Sequence, residues 1–320
     1  MALAESSLNA TAEPAYTLDV ALEGLASAGY RADASTWERL VDAGLLHRSN
    51  GSSPHLILIS VAELKRFRAI LDLDLRIGQP SSMERLSFYL CATGMTDVPA
   101  PKVVEFMEAG MAAFFGAGEI ELRAMPNVPT RLGLDGERAV AKRLAAKMLE
   151  SCGRVCRRDR AALVFLAEIG CTLFLRAAWR NRTRGRGPVP RIVTDALLDP
   201  ENLHISAMSS GWPLHSTAAE KLLPPVVDIA HILAELRRSA SSRATDIVAA
   251  AADSVTVADR GCPGLAGAQA PPLLQSLVPL LAAAFARMRA SGRPHMCERV
   301  AKSAWVEPEA MRSALLTHWS

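Results

Sequence analysis

Arginine side chains provide the clearest chemical signal in this 320-residue sequence. Five of them fall between residues 180 and 191, with glycine and proline between them. Arginine carries a permanent charge and donates hydrogen bonds to phosphate oxygens, so the segment suits a phosphate-contacting arm. A solvated loop, or a patch that binds an acidic protein, remains an alternative. The arginines of this predicted basic patch are Arg180, Arg182, Arg184 and Arg186.

Motifs of the common enzyme classes are absent from the sequence. It contains no Walker A loop, no G-x-G-x-x-G after a strand, no H-E-x-x-H and no G-x-S-x-G. His204, His215 and His231 lie close together in sequence, but their spacings of 11 and 16 put no two of them on adjacent helical turns. A zinc or iron site made by these histidines is therefore the less favoured alternative. We predict a protein that is not an enzyme and uses no metal and no cofactor.

The sequence also favours a particular compartment. Its start lacks the basic and apolar regions of a signal peptide. The apolar stretch 161–179 contains Glu168 and Arg176, and the apolar run 271–286 is too short to cross a bilayer. The six cysteines form no C-x2-C pairs. We therefore predict a cytoplasmic protein that does not enter a membrane.

Composition points to a mostly helical fold with two parts. Half of the residues are hydrophobic but only 5% are aromatic, and helix-forming alanine and leucine are abundant. A length of 320 residues is enough for two domains. The net charge of +3 is unevenly spread, at −6 over residues 1–130, +8 over 131–200 and +1 over 201–320. The basic density thus follows the N-terminal part of the chain rather than lying in it.

Residues 17–76 contain, in order, the elements of a winged helix-turn-helix. The periodicity predicts helices over 17–29, 35–46 and 61–73, with a polar loop at 47–54 and a strand at 55–60 before the third helix. A helix that can enter the major groove, followed by a small wing, is one way to bind duplex DNA.

The same spacing predicts which side chains of this region face outward. Thr17 suits the first N-cap, and Gly29 and Gly44 suit the turns that end the first two helices. Trp37, Leu40 and Val41 should pack inward, which leaves three polar side chains of the second helix on its outer face. These are Ser35, Thr36 and Arg39. On the third helix, the outward side chains should be Lys65, Arg66 and Arg68.

The rest of the chain is predicted to be helical. Two further helices should cover 81–94 and 102–125, and Pro126 and Pro129 mark a boundary near 125–131. Beyond it we expect two helices before a basic loop at 182–191, short helices over 193–240, and helices near 244–258 and 273–290. A helical hairpin should follow at 298–319. The predicted parts are a disordered tail at 1–16, a DNA-binding region at 17–125 and a helical domain at 131–320.

The N-terminal third resembles the MerR-like winged-helix regulators of bacteria. STWERLVDAGLL is similar to that family's recognition helix, and a polar wing loop follows it directly. ISVAELKRFRAI resembles the helix after the wing, and LCATGMTDVPAPKVVEFMEA resembles the next helix–turn–helix unit. Together these segments cover roughly residues 17–115, and their order and spacing are more specific than any one of them.

The resemblance implies a set of DNA-contacting residues. Side chains of the second helix would approach bases or phosphates, those after it would lie in or beside the wing, and those of the third helix would contact phosphates. The implied residues are Arg31, Ser35, Thr36, Arg39, Arg48, Ser49, Asn50, His55, Lys65, Arg66 and Arg68.

We therefore expect a sequence-specific bacterial transcription regulator that binds double-stranded DNA as a homodimer. Its helical second part would set the oligomer, bind an effector or contact RNA polymerase. The alternative is an adaptor that uses the winged helix to dock another protein. Equal numbers of basic and acidic residues over 17–70, six of each, keep this alternative open, because DNA-reading faces are usually basic.

Overall fold

A computed structural model of the chain describes residues 15–49, 56–78, 81–95, 97–125, 134–153, 160–185, 244–265, 267 and 269–319. Within these ranges the protein is mostly helical, as composition predicted. Several predicted features lie outside the described residues, namely the tail up to residue 14, the short helices over 193–240, and Asn50, His55, Arg186, His204, His215 and His231.

The first five elements of the described chain follow the predicted order of helices and strand, with one additional strand at the start. They are β1 (Ala15–Thr17), α1 (Leu18–Ser27), α2 (Ala34–Asp42), β2 (Leu58–Ser60) and α3 (Val61–Ile77). β1 pairs with β2 in antiparallel fashion, with Tyr16 opposite Ile59. The predicted tail at 1–16 is therefore corrected at its end, because Ala15 and Tyr16 form backbone pairs with β2.

Local sequence signals explain where these helices begin and end. The Thr17 side chain accepts a hydrogen bond from the Val20 amide at the start of α1, as predicted. Gly29 and Gly44 adopt positive φ angles of 89° and 72°, which glycine reaches without steric cost. The second helix is shorter than predicted, because it ends at Asp42 and the chain turns so that Leu45 is buried outside it.

The three N-terminal helices share a small core. Trp37 of α2 is fully buried and meets Phe67 of α3 edge to face, with ring centroids 5.4 Å apart. Leu18 and Leu25 on the inner face of α1 are also buried. The apolar faces predicted from helical spacing are thus the faces that pack together.

The remaining described elements are all helices. They are α4 (Met83–Ala92), α5 (Ala100–Ala124), α6 (Leu134–Ser151), α7 (Arg160–Gly185), α8 (Ala244–Gly261), α9 (Pro272–Gln275), α10 (Leu277–Ala290), α11 (Pro294–Ser303) and α12 (Pro308–Thr317). The helix predicted near 273–290 is divided at Ser276. α7 continues to Gly185, into the predicted basic loop, since no proline interrupts the chain before Pro188.

The hydrophobic core continues across the boundary predicted near 125–131. α4 and α5 pack against α8 and α10, which come from the last third of the chain. α5 and α10 approach closely at Gly110, where an added Cβ would lie 2.1 Å from Cγ of Pro279. Residues 17–125 are thus not separated from residues 244–319 at that boundary, because the apolar face of α5 needs partners that the N-terminal elements do not supply.

Polar contacts fasten the C-terminal helix α12 to α6 and α7. The buried carboxylate of Glu168 in α7 pairs with Arg138 of α6, at 3.1 Å, and with Arg312 of α12, at 3.6 Å. The indole nitrogen of Trp319, just after α12, donates to the carbonyl oxygen of Leu173 over 3.0 Å. A second buried ion pair, between Asp253 of α8 and Arg289 of α10, lies at 2.6 Å.

One stretch of the described residues, Pro272–Ala290, is long and apolar enough to span a membrane by length and composition alone. Most of this stretch is buried inside the helical bundle. A buried core helix can also be long and apolar enough to meet these two criteria.

Candidate nucleic-acid interface

α2 buries one face in the core and exposes the opposite face to solvent. Trp37 and Leu40 are buried, so the helix is held from one side. Ser35 and Arg39 are four residues apart and therefore share a face, and both are exposed. Arg39 forms no ion pair and no side-chain hydrogen bond with the described residues. Its guanidinium group is thus exposed on the outer face of α2, where the helical spacing placed it.

Thr36, the third predicted residue of this face, has a structural task. Its amide and its hydroxyl both donate to Oδ1 of Asp33, over 2.7 and 2.8 Å. Asp33 is the N-cap of α2, and the hydrogen bond from the Thr36 amide lowers the pKa of its carboxyl group. The sequence analysis treated Thr36 only as an outward polar side chain. An aspartate three residues before a threonine at a helix start is a signal that could have identified the cap.

A short arm, residues 47–49, lies between β2 and α2. The Ser49 amide donates to the Leu58 carbonyl oxygen over 3.2 Å, so residues 47–49 run alongside β2 on the side away from β1. The Ser49 hydroxyl is buried and has no hydrogen-bond partner among the described residues, so it does not face a ligand in this state. The arm nevertheless brings Arg48 to α2, where its Nη2 atom lies 2.5 Å from Oε2 of Glu38.

The predicted basic side chains of α3 divide into two groups. Lys65 and Arg68 are three residues apart on one exposed face. Arg68 donates from Nε to the Tyr30 hydroxyl over 3.0 Å, and that hydroxyl donates to Oδ1 of Asp72 over 2.7 Å. Arg31 is exposed next to Tyr30, so the turn between α1 and α2 and the outer face of α3 together present basic groups.

Arg66 belongs to the protein interior rather than to this face. Its side chain is only 12% exposed, its Nε donates to the Leu45 carbonyl oxygen over 2.6 Å, and it pairs with Asp97. Helical spacing placed Arg66 with Lys65 and Arg68. It is diverted inward because the buried turn after α2 leaves a carbonyl oxygen that needs a donor.

The predicted basic patch is described only in part. The backbone at Arg180, Arg182 and Arg184 continues α7, and Arg186 lies outside the described residues. Among the described residues, no group of three or more histidine, cysteine or acidic side chains could hold a metal ion.

Comparison with protein-family models, with curated proteins and with solved structures gives no match. The surface around α2, the arm and α3 combines two groups of side chains. The outer face of the anchored helix α2 presents the Ser35 hydroxyl and the Arg39 guanidinium group, and the outer face of α3 presents Lys65 and Arg68.

Proposed function

We propose that the protein is a DNA-binding transcription regulator whose residues 15–78 act as a MerR-like winged helix. In this proposal α2 is the recognition helix, the arm at residues 47–49 together with β2 forms the wing, and α3 supplies phosphate contacts. The resemblance over residues 17–115 supports the proposal. So does the order of β1, α1, α2, β2 and α3 along the chain.

The observation that carries the proposal is the geometry of α2. The helix is fixed by Trp37 and Leu40 on one side and presents Ser35 and Arg39 on the other. A rigid helix with outward hydrogen-bond donors is what direct reading of the major groove requires. Arg39 supplies a guanidinium group suited to guanine or phosphate, and Ser35 supplies a shorter donor at the start of the same face.

Phosphate contacts would come from the second basic face. Lys65 and Arg68 lie on one exposed face of α3, and Arg31 is exposed in the α1–α2 turn next to Tyr30, which Arg68 contacts. Such contacts provide affinity for any sequence and fix the register of the recognition helix. Arg66 makes none of the proposed contacts, because its guanidinium group binds the Leu45 carbonyl oxygen and Asp97. The Ser49 hydroxyl makes none either, because it is buried.

The remaining parts of the proposal concern the whole chain. The arginines from Arg180 to Arg186 would add salt-dependent affinity for phosphates. A homodimer would place two recognition helices on two half-sites of a palindrome. The helical bundle would hold that dimer together or touch RNA polymerase, and the protein would act in the cytoplasm without a catalytic centre.

Fluorescence anisotropy on duplex DNA is the test of this proposal. We expect the wild-type protein to bind mixed duplexes at low salt, with affinity that falls steeply as salt increases. Arg39→Ala should weaken binding to a selected site by roughly tenfold or more, as loss of a good base contact does. Arg299→Ala, which removes an exposed arginine of α11, is the matched control and should not change binding.

Docking of another protein is the second candidate function, and three exposed apolar side chains favour it. Tyr16, Val20 and Leu56 lie near the paired strands and are 43%, 53% and 47% exposed. Large apolar side chains grouped at a surface are typical of protein contacts. Lack of binding to any duplex at about 50 mM salt, where phosphate contacts are strong, would refute the DNA proposal and leave docking as the better account.

A further inference from the structure

The Glu38–Arg48 ion pair links the proposed recognition helix to the proposed wing. Glu38 follows Trp37 on α2 and precedes Arg39, and Arg48 lies at the base of the arm. Their side chains are 36% and 42% exposed, so solvent and ligands can reach both partners. The pair therefore lies at the surface where α2 and the arm would meet DNA.

The carboxylate of Glu38 binds the Arg48 guanidinium group, which could otherwise bind a DNA phosphate. A phosphate oxygen and a carboxylate oxygen both accept hydrogen bonds from a guanidinium group, so the two compete for Arg48. The next basic group along the arm, His47, is likewise opposed by an acid, with Nδ1 3.4 Å from Oε1 of Glu63.

We propose that Glu38 is a specificity-determining residue, which withholds Arg48 from phosphates on unselected DNA. The inference rests on the proposed DNA-binding function. On random sequence, a phosphate contact from Arg48 has to displace Glu38, so the gain in affinity is reduced. On the correct site, the base contacts of Arg39 and Ser35 hold the arm against the backbone and make the exchange favourable. Glu38 thus lowers affinity for the wrong DNA more than for the right DNA.

The size of the effect follows from the exposure of the pair. An ion pair between exposed side chains shifts an equilibrium about 1.5- to 5-fold. This effect is smaller than the effect of a buried ion pair. Release of Arg48 to one more phosphate should steepen the slope of log affinity against log salt by about 0.9. Both quantities are within reach of a titration on a mixed-sequence duplex.

The decisive variant is Glu38→Gln, which keeps the size of the side chain and removes its charge. We expect it to bind a mixed-sequence duplex about 1.5- to 5-fold more tightly than the wild type, with a salt slope steeper by about 0.9. Arg48→Ala in the Glu38→Gln background should cancel both changes. Asp42→Asn is the matched control, because Asp42 is an exposed acid of the same helix that forms no ion pair with the described residues.

Each outcome of this experiment has one meaning. A gain for Glu38→Gln that exceeds the gain for Asp42→Asn and disappears with Arg48→Ala supports the proposal. Equal gains for the two acidic variants, or a gain that survives Arg48→Ala, overturn it, because general repulsion of phosphates would then explain the result. If no variant binds DNA while circular dichroism shows the wild-type fold, the proposed function fails, and this inference fails with it.

Discussion

Replacing Gly110 by alanine reports on whether α5 packs against the last third of the chain. Gly110 lies inside α5, where an added Cβ would be 2.1 Å from Cγ and 2.7 Å from Cβ of Pro279 in α10. Carbon atoms in contact are at least about 3.5 Å apart, so α5 and α10 would have to separate by roughly 1.4 Å. Such a shift also disturbs the neighbouring contacts of α10 in the core.

Two opposing effects decide the sign of the change in stability. Alanine in place of glycine inside a helix stabilises the folded state by about 1 kcal/mol. Overpacking a well-filled core costs about 1–3 kcal/mol. We expect the second effect to dominate, so that Gly110→Ala lowers the free energy of unfolding by up to about 2 kcal/mol.

The assay is urea unfolding followed by circular dichroism, with a control from the same helix. Gly116 of α5 has no atom within 4 Å of its would-be Cβ, so Gly116→Ala should raise the free energy of unfolding by about 0.5–1 kcal/mol. If Gly110→Ala stabilises the protein as much as Gly116→Ala does, then α5 does not contact Pro279. The description of a core shared across residues 125–131 would then be incorrect.

Three further predictions concern polar groups. Arg66→Ala should lower the free energy of unfolding by about 1–3 kcal/mol in urea, because it leaves the Leu45 carbonyl oxygen without its donor, whereas exposed Lys65→Ala should change it by less than about 0.5 kcal/mol. Asp253→Ala should cost about 3–5 kcal/mol in the same assay by leaving Arg289 buried and unpaired, and Arg289→Met added to it should recover much of that loss. The lowered pKa of Asp33 means that its carboxylate stabilises the fold above the unfolded-state pKa near 3.8, and that this stability is lost as the pH falls through the lower, folded-state pKa. Asp33→Asn should therefore weaken the dependence of melting temperature on pH in the acid range, and an unchanged pH profile would contradict this account.

Local signals in the sequence were enough to predict most elements of the fold. The apolar spacing in α1, α3 and α5 and the cap at Thr17 depend on residues within one or two turns of each other. Such short-range chemistry is visible in a linear sequence. The predicted bounds differ from the observed ones mainly at helix ends, as at α2 and α7.

Long-range pairing could not be predicted in the same way. The apolar face of α5 was visible, but nothing near it in sequence indicates that Pro279 and its neighbours would cover it. Pro126 and Pro129 interrupt the helical pattern of the sequence. Such an interruption does not imply that the hydrophobic core is divided there. Likewise, spacing placed Arg66 on a polar face, while its actual partners, Leu45 and Asp97, lie 21 and 31 residues away.

The Trp319–Leu173 hydrogen bond has a consequence for how the chain is made. The two residues are 146 positions apart, and protein synthesis adds about 5–20 residues per second. Leu173 is therefore added to the chain roughly 7–30 s before Trp319. During that interval α7 can form its backbone hydrogen bonds, but Glu168 lacks Arg312 and the surface that later receives α12 stays open to water. The surface of α6 and α7 that receives α12 is thus open to aggregation until α12 has been made.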